Sequence, residues 1–279
     1  MALSHPLPPR PRVFLTGGAS GLGRAFALKL AQRQARLLVT DINLAGAEET
    51  AAEVTRLGGE AFALALDVRD RTAFAAMADA MDERFGGTDL IINNAGVAVA
   101  GPVGDVSLAD WDFAMEINLY GVIYGCHTFI PRMKAAGSGA VLNVASAAGF
   151  ACMPEMGPYN VSKAGVIALS ETLFAELSPL KMGVTVLCPT FFPTNIMESF
   201  RSSSERQRRL AEALFRRSTT TAEAVAEAAL NGLEQGELVV TPQRDAQAVR
   251  RLKGLAPGVF VRLMAGGAFK KVASRLLGR

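Results

Sequence analysis

The chain has 279 residues, half apolar and a fifth charged, which suits one large domain with a substantial core. Its formal net charge of +3 is too small to point to a nucleic-acid partner. Three scattered cysteines, Cys126, Cys152 and Cys188, argue against a disulfide framework or a CxxC zinc site and suit a reducing, cytoplasmic setting, while two histidines, His5 and His127, leave little for a His-based triad or metal centre. Met1 to Arg12 carries four prolines and no apolar core segment, so no signal peptide is expected there. No apolar run reaches the roughly 18 residues of a spanning helix.

Arg12-Val13-Phe14-Leu15 is short, apolar and β-prone. It runs into Thr16-Gly17-Gly18-Ala19-Ser20-Gly21-Leu22-Gly23, and Arg24 to Gln34 then shows near-helical apolar spacing. Strand, glycine turn and helix in that order make a phosphate site, because the N–H groups of the helix start face an anion. Arg36 to Thr40 reads as a second strand ending in Asp41, about twenty residues past the turn, where a dinucleotide site wants an acid for the adenosine ribose. A carboxylate there repels a 2′-phosphate and favours NAD over NADP. The alternative is that Asp41 only caps the helix Leu44 to Leu57. Arg24, just after the turn, is the base that would reverse the preference by reaching the phosphate.

Glu60 to Leu66 predicts a third strand ending in Asp67-Val68, and Asp70 to Phe85 an amphipathic helix. A fourth strand, Asp89 to Asn93, enters the turn Asn94-Ala95-Gly96, at the sheet edge where ligands bind in open α/β sheets. Ser107 to Lys134 predicts one long helix with Asn118 in its middle, an unfavourable place for an amide. The fifth strand, Gly139 to Val144, leads to Ser146, and Pro158-Tyr159 opens a helix to about Ser178. The sixth strand, Gly183 to Leu187, ends in Cys188-Pro189 and reaches Thr194. Asn195 to Arg217 reads as a charged helical insertion, Thr220 to Glu223 as a capping box for a helix through Leu233, and Glu237 to Thr241 as the last strand. This alternation implies a doubly wound parallel sheet with helices on both faces, a single domain over residues 12–243, and a basic amphipathic tail over 244–279.

Tyr159 and Lys163 sit at i and i+4 on one helix. A nearby ammonium favours the phenolate and lowers a tyrosine pKa from its ordinary value near 10, producing a proton donor and acceptor matched to an alcohol/ketone pair. Such spacing also arises in plain surface pairs. Ser146 can donate to a carbonyl oxygen, and Asn118 can hold a water that links Lys163 to solvent.

Taken together, TGGASGLG (16–23), Asp67-Val68, NNAG (93–96), Asn118, Ser146, YNVSK (159–163) and Pro189 to Thr194 resemble the short-chain dehydrogenase/reductase family over roughly residues 12 to 241. The resemblance implies seven parallel strands in the order 3-2-1-4-5-6-7, a Rossmann-type fold and a nicotinamide cofactor. It implies a catalytic tetrad of Asn118, Ser146, Tyr159 and Lys163, with Lys163 on the nicotinamide ribose, Asp67 and Val68 at the adenine and Thr194 at the carboxamide. Cofactor contacts are likewise expected from Gly17, Ser20, Gly21, Leu22, Gly23, Asp41, Asn94, Ala95, Gly96, Tyr159 and Pro189. Thr190 stands where the family usually has glycine, which leaves the path of that loop open.

Val97, Val99, Cys152, Met153, Met156, Phe191, Phe192, Ile196, Met197 and Phe200 predict an apolar pocket for a lipophilic secondary alcohol or ketone. The tail from Arg244 carries nine Lys/Arg and one acid. It suits the surface of an anionic membrane, a second subunit in a homodimer or homotetramer, or a cover over the cleft. A non-catalytic cofactor sensor and a membrane-surface adaptor are the alternatives to an NAD-dependent oxidoreductase.

Overall fold

The computed structural model describes residues 7–202 and 204–267. Its first half alternates β1 (Arg12–Thr16), α1 (Gly21–Ala31), β2 (Arg36–Asp41), α2 (Leu44–Arg56), β3 (Glu60–Ala65), α3 (Ala73–Phe85) and β4 (Leu90–Asn93). A short β5 (Val99–Ala100) precedes α4 (Leu108–Met115), a π-helical turn (Glu116–Tyr120) and α5 (Gly121–Ala136). Next come β6 (Ala140–Val144), α6 (Ala148–Ala151), α7 (Gly157–Leu177), β7 (Gly183–Leu187) and β8 (Arg201–Ser202). The chain then runs through α8 (Glu205–Arg217), α9 (Ala222–Glu234), β9 (Val239–Val240), α10 (Arg244–Leu255) and α11 (Pro257–Ala265).

Seven strands pair in parallel in the order β3-β2-β1-β4-β6-β7-β9. Counted along that sheet alone, the order is the expected 3-2-1-4-5-6-7. The intervening numbers belong to β5 and β8, which pair with each other in a separate ribbon. Successive side chains of a strand point to opposite faces. Val13, Leu15, Val39 and Ile92 therefore meet α1, α2 and α9 on one side, and Phe14, Leu38, Ile91 and Val184 meet α3, α5 and α7 on the other. Both faces are covered, so the central strands read as unbroken apolar runs. Each of these side chains contributes about 1.5–3 kcal/mol on burial. Phe14 also stacks on Phe129 of α5 with ring centroids 4.4 Å apart.

Two predicted helices are corrected. The stretch from Ser107 to Lys134 is not one helix: α4 and α5 are joined by the π turn that holds Asn118. Such one-turn bulges widen the helix by a residue and recur at functional sites. Residues 195–217 are not helical throughout either. Asn195–Met197 is a single 3-10 turn, Arg201–Ser202 pairs with Val99–Ala100, and only Glu205–Arg217 is α-helix. The tail breaks at Pro257 into α10 and α11, as its composition suggests; residues 268–279, with Lys270, Lys271 and Arg275, lie outside the described residues. No helix among the described residues is long and apolar enough to cross a membrane.

Candidate active site

Every strand of the main sheet from β1 to β7 ends on the same side, and the loops leaving those ends enclose a cleft of about 750 Å³. One half is backbone. Gly17 and Gly21 adopt φ of +65° and +51°, where a side chain would be strained, and a Cβ on Gly23 would lie 1.9 Å from the Gly17 carbonyl oxygen. Asn94 fixes this turn from the next strand, its Nδ2 donating to the carbonyls of Thr16 and Gly17 at 2.9 Å each. Thr16 completes the brace: its Oγ1 accepts from the backbone N–H groups of Asn94 and Ala95 at 3.0 and 3.1 Å. Thr16 lies inside the motif, but its role is not legible in the sequence, because it depends on β1 and β4 being neighbours.

Asp41 stands at the rim of this half and accepts from Ala19 N at 3.0 Å and Asn43 N at 2.9 Å. The capping alternative is corrected. Asn43 is the N-cap of α2, accepting from Gly46 N at 3.2 Å, so Asp41 is left to shape the rim. Arg24 turns toward α2 and pairs with Glu53. Asp67 pairs with Arg69 at 2.6 Å, a hydrogen bond that holds its carboxyl below the usual range. Val68 is buried against Gly121. The glycine cradle, the rim acid and the closely packed floor fit an extended dinucleotide.

At the middle of the cleft, α7 presents Tyr159 and Lys163 beside Ser146, which leaves the end of β6. Ser146 Oγ accepts from Ala148 N at 3.1 Å and donates to the Pro189 carbonyl at 3.4 Å. Lys163 is only 3 % exposed, and its Nζ donates to the Val144 carbonyl at 2.8 Å. Burial brings its pKa down from 10.5 to about 8. Gly96 lies so close that a Cβ there would be 3.3 Å from Nζ. The Lys163 ammonium lies 6.0 Å from the centroid of the Tyr159 ring. The expected lowering of the tyrosine pKa does not prevail: burial pushes Tyr159 up, and the Ser146 hydroxyl draws it only partly back. Desolvation of a phenolate in a closed site outweighs a cation already satisfied by a carbonyl.

Of the predicted site residues, Gly17, Ser20, Gly21, Leu22, Gly23, Asp41, Asp67, Val68, Asn94, Ala95, Gly96, Ser146, Tyr159, Lys163, Pro189 and Thr194 all line this one cleft. Asn118 does not. It is fully buried behind the wall, and both amide hydrogens are committed, to Val97 O at 3.0 Å and Ser162 Oγ at 3.1 Å, while Oδ1 accepts from Val97 N at 2.8 Å. Its side chain ties the loop after β4 to α7. Thr190 takes no left-handed conformation, so the missing glycine costs the loop nothing. Its N–H donates to Gln243 Oε1 at 3.1 Å, a tether from the far end of the chain that the sequence does not signal.

The apolar pocket beyond Tyr159 contains Val97, Met153, Met156, Phe191, Phe192, Ile196 and Phe200 as expected. Three predicted wall residues lie elsewhere. Val99 packs under Val106 and Ala114, Met197 packs in the cluster around Ala98 and Phe200, and Cys152 is exposed with Lys253 Nζ 3.2 Å from its sulfur. The ribbon, the 3-10 turn at Asn195–Met197 and the short α6 turn those side chains away. In their place α8 supplies Leu214 and Phe215, and α10 supplies Ala246 and Val249. Of the three roles open to the tail, its first helix takes the one over the cleft.

The sequence profile of the short chain dehydrogenases matches residues 11–205. The chain is 37% identical over 186 residues to the oxidoreductase EphD of Mycobacterium tuberculosis, covering 66% of this chain but only 31% of EphD. It is 31% identical to the oxidoreductase SadH of the same organism over 260 residues, which is 92% of this chain and 94% of SadH. Among solved structures, a short chain dehydrogenase/reductase from Burkholderia phymatum in complex with NAD superposes with a TM-score of 0.84 at 29% identity, over 89% of this chain and 94% of the other. The profile match over residues 11–205 and the likeness to SadH along nearly its whole length, on a chain that gathers a glycine cradle and a Ser-Tyr-Lys cluster at one sheet edge, place it in the short chain dehydrogenase family.

Proposed function

We propose that the protein is an oxidoreductase that interconverts a lipophilic secondary alcohol and its ketone, preferring NAD to NADP, with Tyr159 as general acid and base. The observation that carries this reading is the seating of Tyr159, Ser146 and Lys163 between a glycine cradle and an apolar pocket. When bound, the nicotinamide supplies the hydride acceptor or donor. The chain's own residues do the rest. Ser146 Oγ is free to turn from its long 3.4 Å bond toward a substrate oxygen. The Tyr159 hydroxyl gives its proton to that oxygen in reduction and takes it back in oxidation. Lys163, steadied by the Val144 carbonyl, holds positive charge where a phenolate and a ribose would need it. Asn118 keeps the loop carrying Gly96 and Val97 in register with α7.

The preference for NAD is supported by where the charges point. Asp41 offers its remaining lone pairs to ribose hydroxyls and would repel a 2′-phosphate. The bases able to neutralise that phosphate are engaged elsewhere, Arg24 by Glu53 and Arg69 by Asp67. The lipophilic substrate is supported by the Met and Phe side chains around the reaction centre. A panel of secondary alcohols and ketones, run with both cofactors and followed by nicotinamide absorbance, tests the proposal. Turnover of apolar members with NAD is the expected result; turnover of none, or only with NADP, would reject it.

A further inference from the structure

We infer that the substrate is uncharged and carries an apolar extension from its carbinol carbon, and that α10, through Val249, sets how long that extension can be; this rests on the oxidoreductase reading above. Beyond Tyr159 the cleft continues between α8 and α10. α8 is densely charged, yet it turns Ala211, Leu214 and Phe215 into the cleft, while on its outer side Arg206 pairs with Glu155 at 2.8 Å. From the opposite side α10 contributes Ala246, which is 1 % exposed, and Val249, one helical turn further along. Apart from Asp245 at the start of α10, the side chains that these two helices bring to the cleft are apolar and leave a space for an apolar ligand.

α10 is seated firmly enough to act as a wall. Gln243, at its start, holds the Thr190 N–H; Gln247 Nε2 donates to the Thr241 carbonyl at 2.9 Å; and Lys253 reaches Cys152 on the opposite loop. The charge along the cleft selects further. The cations lining it among the described residues are Arg69 and Lys163, one in the nucleotide half and one at the reaction centre. The further acids lining it are Glu198, which accepts from Asn195 Nδ2 at 2.8 Å, and Asp245 at the start of α10. Arg244, Arg250 and Arg251 belong to α10 but do not line the cleft. A carboxylate or phosphate on the substrate would meet Asp245 and no base from α8 or α10.

The test measures binding and turnover separately. Protein saturated with oxidised NAD is titrated calorimetrically with a homologous series of straight-chain 2-ketones and with keto acids of matching length. In the unaltered protein, affinity should rise roughly fourfold per methylene until the channel is filled. Val249→Trp should bring that plateau at a shorter chain and Val249→Ala at a longer one. Ala246→Leu, a milder filling of the same channel, should act like Val249→Trp. The keto acids should bind roughly tenfold more weakly than the ketones, by the repulsion of Asp245 and the lack of a base on α8 or α10. Affinity that does not depend on chain length, a plateau at one length in every protein, or keto acids that bind as tightly would overturn the inference. Thermal unfolding of each variant separates a misfolded wall from a wrong one. Turnover of the same ketones is assayed with reduced NAD. Binding that depends on length without any turnover would reject the oxidoreductase reading and leave α10 as the wall that sets the length of an apolar ligand.

Discussion

Replacing Lys163 with methionine removes an ammonium that the fold holds under strain of solvation. The group is 3 % exposed and has one hydrogen-bond acceptor, the Val144 carbonyl at 2.8 Å. Burial lowers its pKa from 10.5 to about 8. Between those values the unfolded chain still holds a proton that the folded chain has lost, so the free energy of unfolding rises with pH. At about 1.4 kcal/mol per pH unit, the whole rise is roughly 3 kcal/mol. About half of it, roughly 1.5 kcal/mol, falls between pH 8 and about 9.5. Tyr159 stays protonated over that interval because its own pKa is raised. At roughly 2 °C per kcal/mol for a chain this large, the rise is about 3 °C in Tm. The assay is thermal unfolding of cofactor-free protein and of Lys163→Met in matched buffers across that interval. The Tm of the unaltered protein should gain on that of the variant as pH rises. A difference that stays constant to within about 1 °C would show that Lys163 is not desolvated as described.

The remaining expectations concern single side chains. Tyr159→Phe should lower kcat at least about a hundredfold while cofactor affinity, read by fluorescence titration, stays within about twofold; a variant that keeps a tenth of the rate would remove Tyr159 from its role. Asp41→Ala should narrow the preference for NAD mainly by improving kcat/KM with NADP. Two charges about 4 Å apart interact by about 4 kcal/mol at an effective dielectric of about 20, and half of that is roughly thirtyfold. Wild-type protein that prefers NADP would refute this and return attention to Arg24. Asn118→Ala strips partners from Val97 N, Val97 O and Ser162 Oγ in a closed interior, at about 1–3 kcal/mol for each group left unsatisfied. Urea unfolding should show that loss; an unchanged midpoint would mean that water replaces the amide.

The features legible in the chain alone are local or periodic. Apolar runs such as Leu37-Leu38-Val39 mark strands buried on both faces, and their alternation with helices implies a parallel sheet whose loops gather at one edge. The glycine turn at 17–23 is legible because only residues without a Cβ fit it, and Tyr159 with Lys163 because one helix turn places both on the same face. What distant segments do to one another emerges only on folding. The π turn at Glu116–Tyr120 forms where Asn118 bonds to Val97 and Ser162, residues well apart in the chain. Arg24 points away from the cleft because Glu53 lies across from it on α2, and Asn43 takes the cap that Asp41 could have made. Burial, which no spacing rule reports, raises Tyr159 and lowers Lys163 together. The composition of the tail fits a membrane, a partner or a cover equally well. The docking of α10 across the cleft, through Gln243, Val249 and Lys253, follows from contacts with loops that precede it by about fifty to a hundred residues, and a one-dimensional pattern of apolar and basic residues carries no record of them.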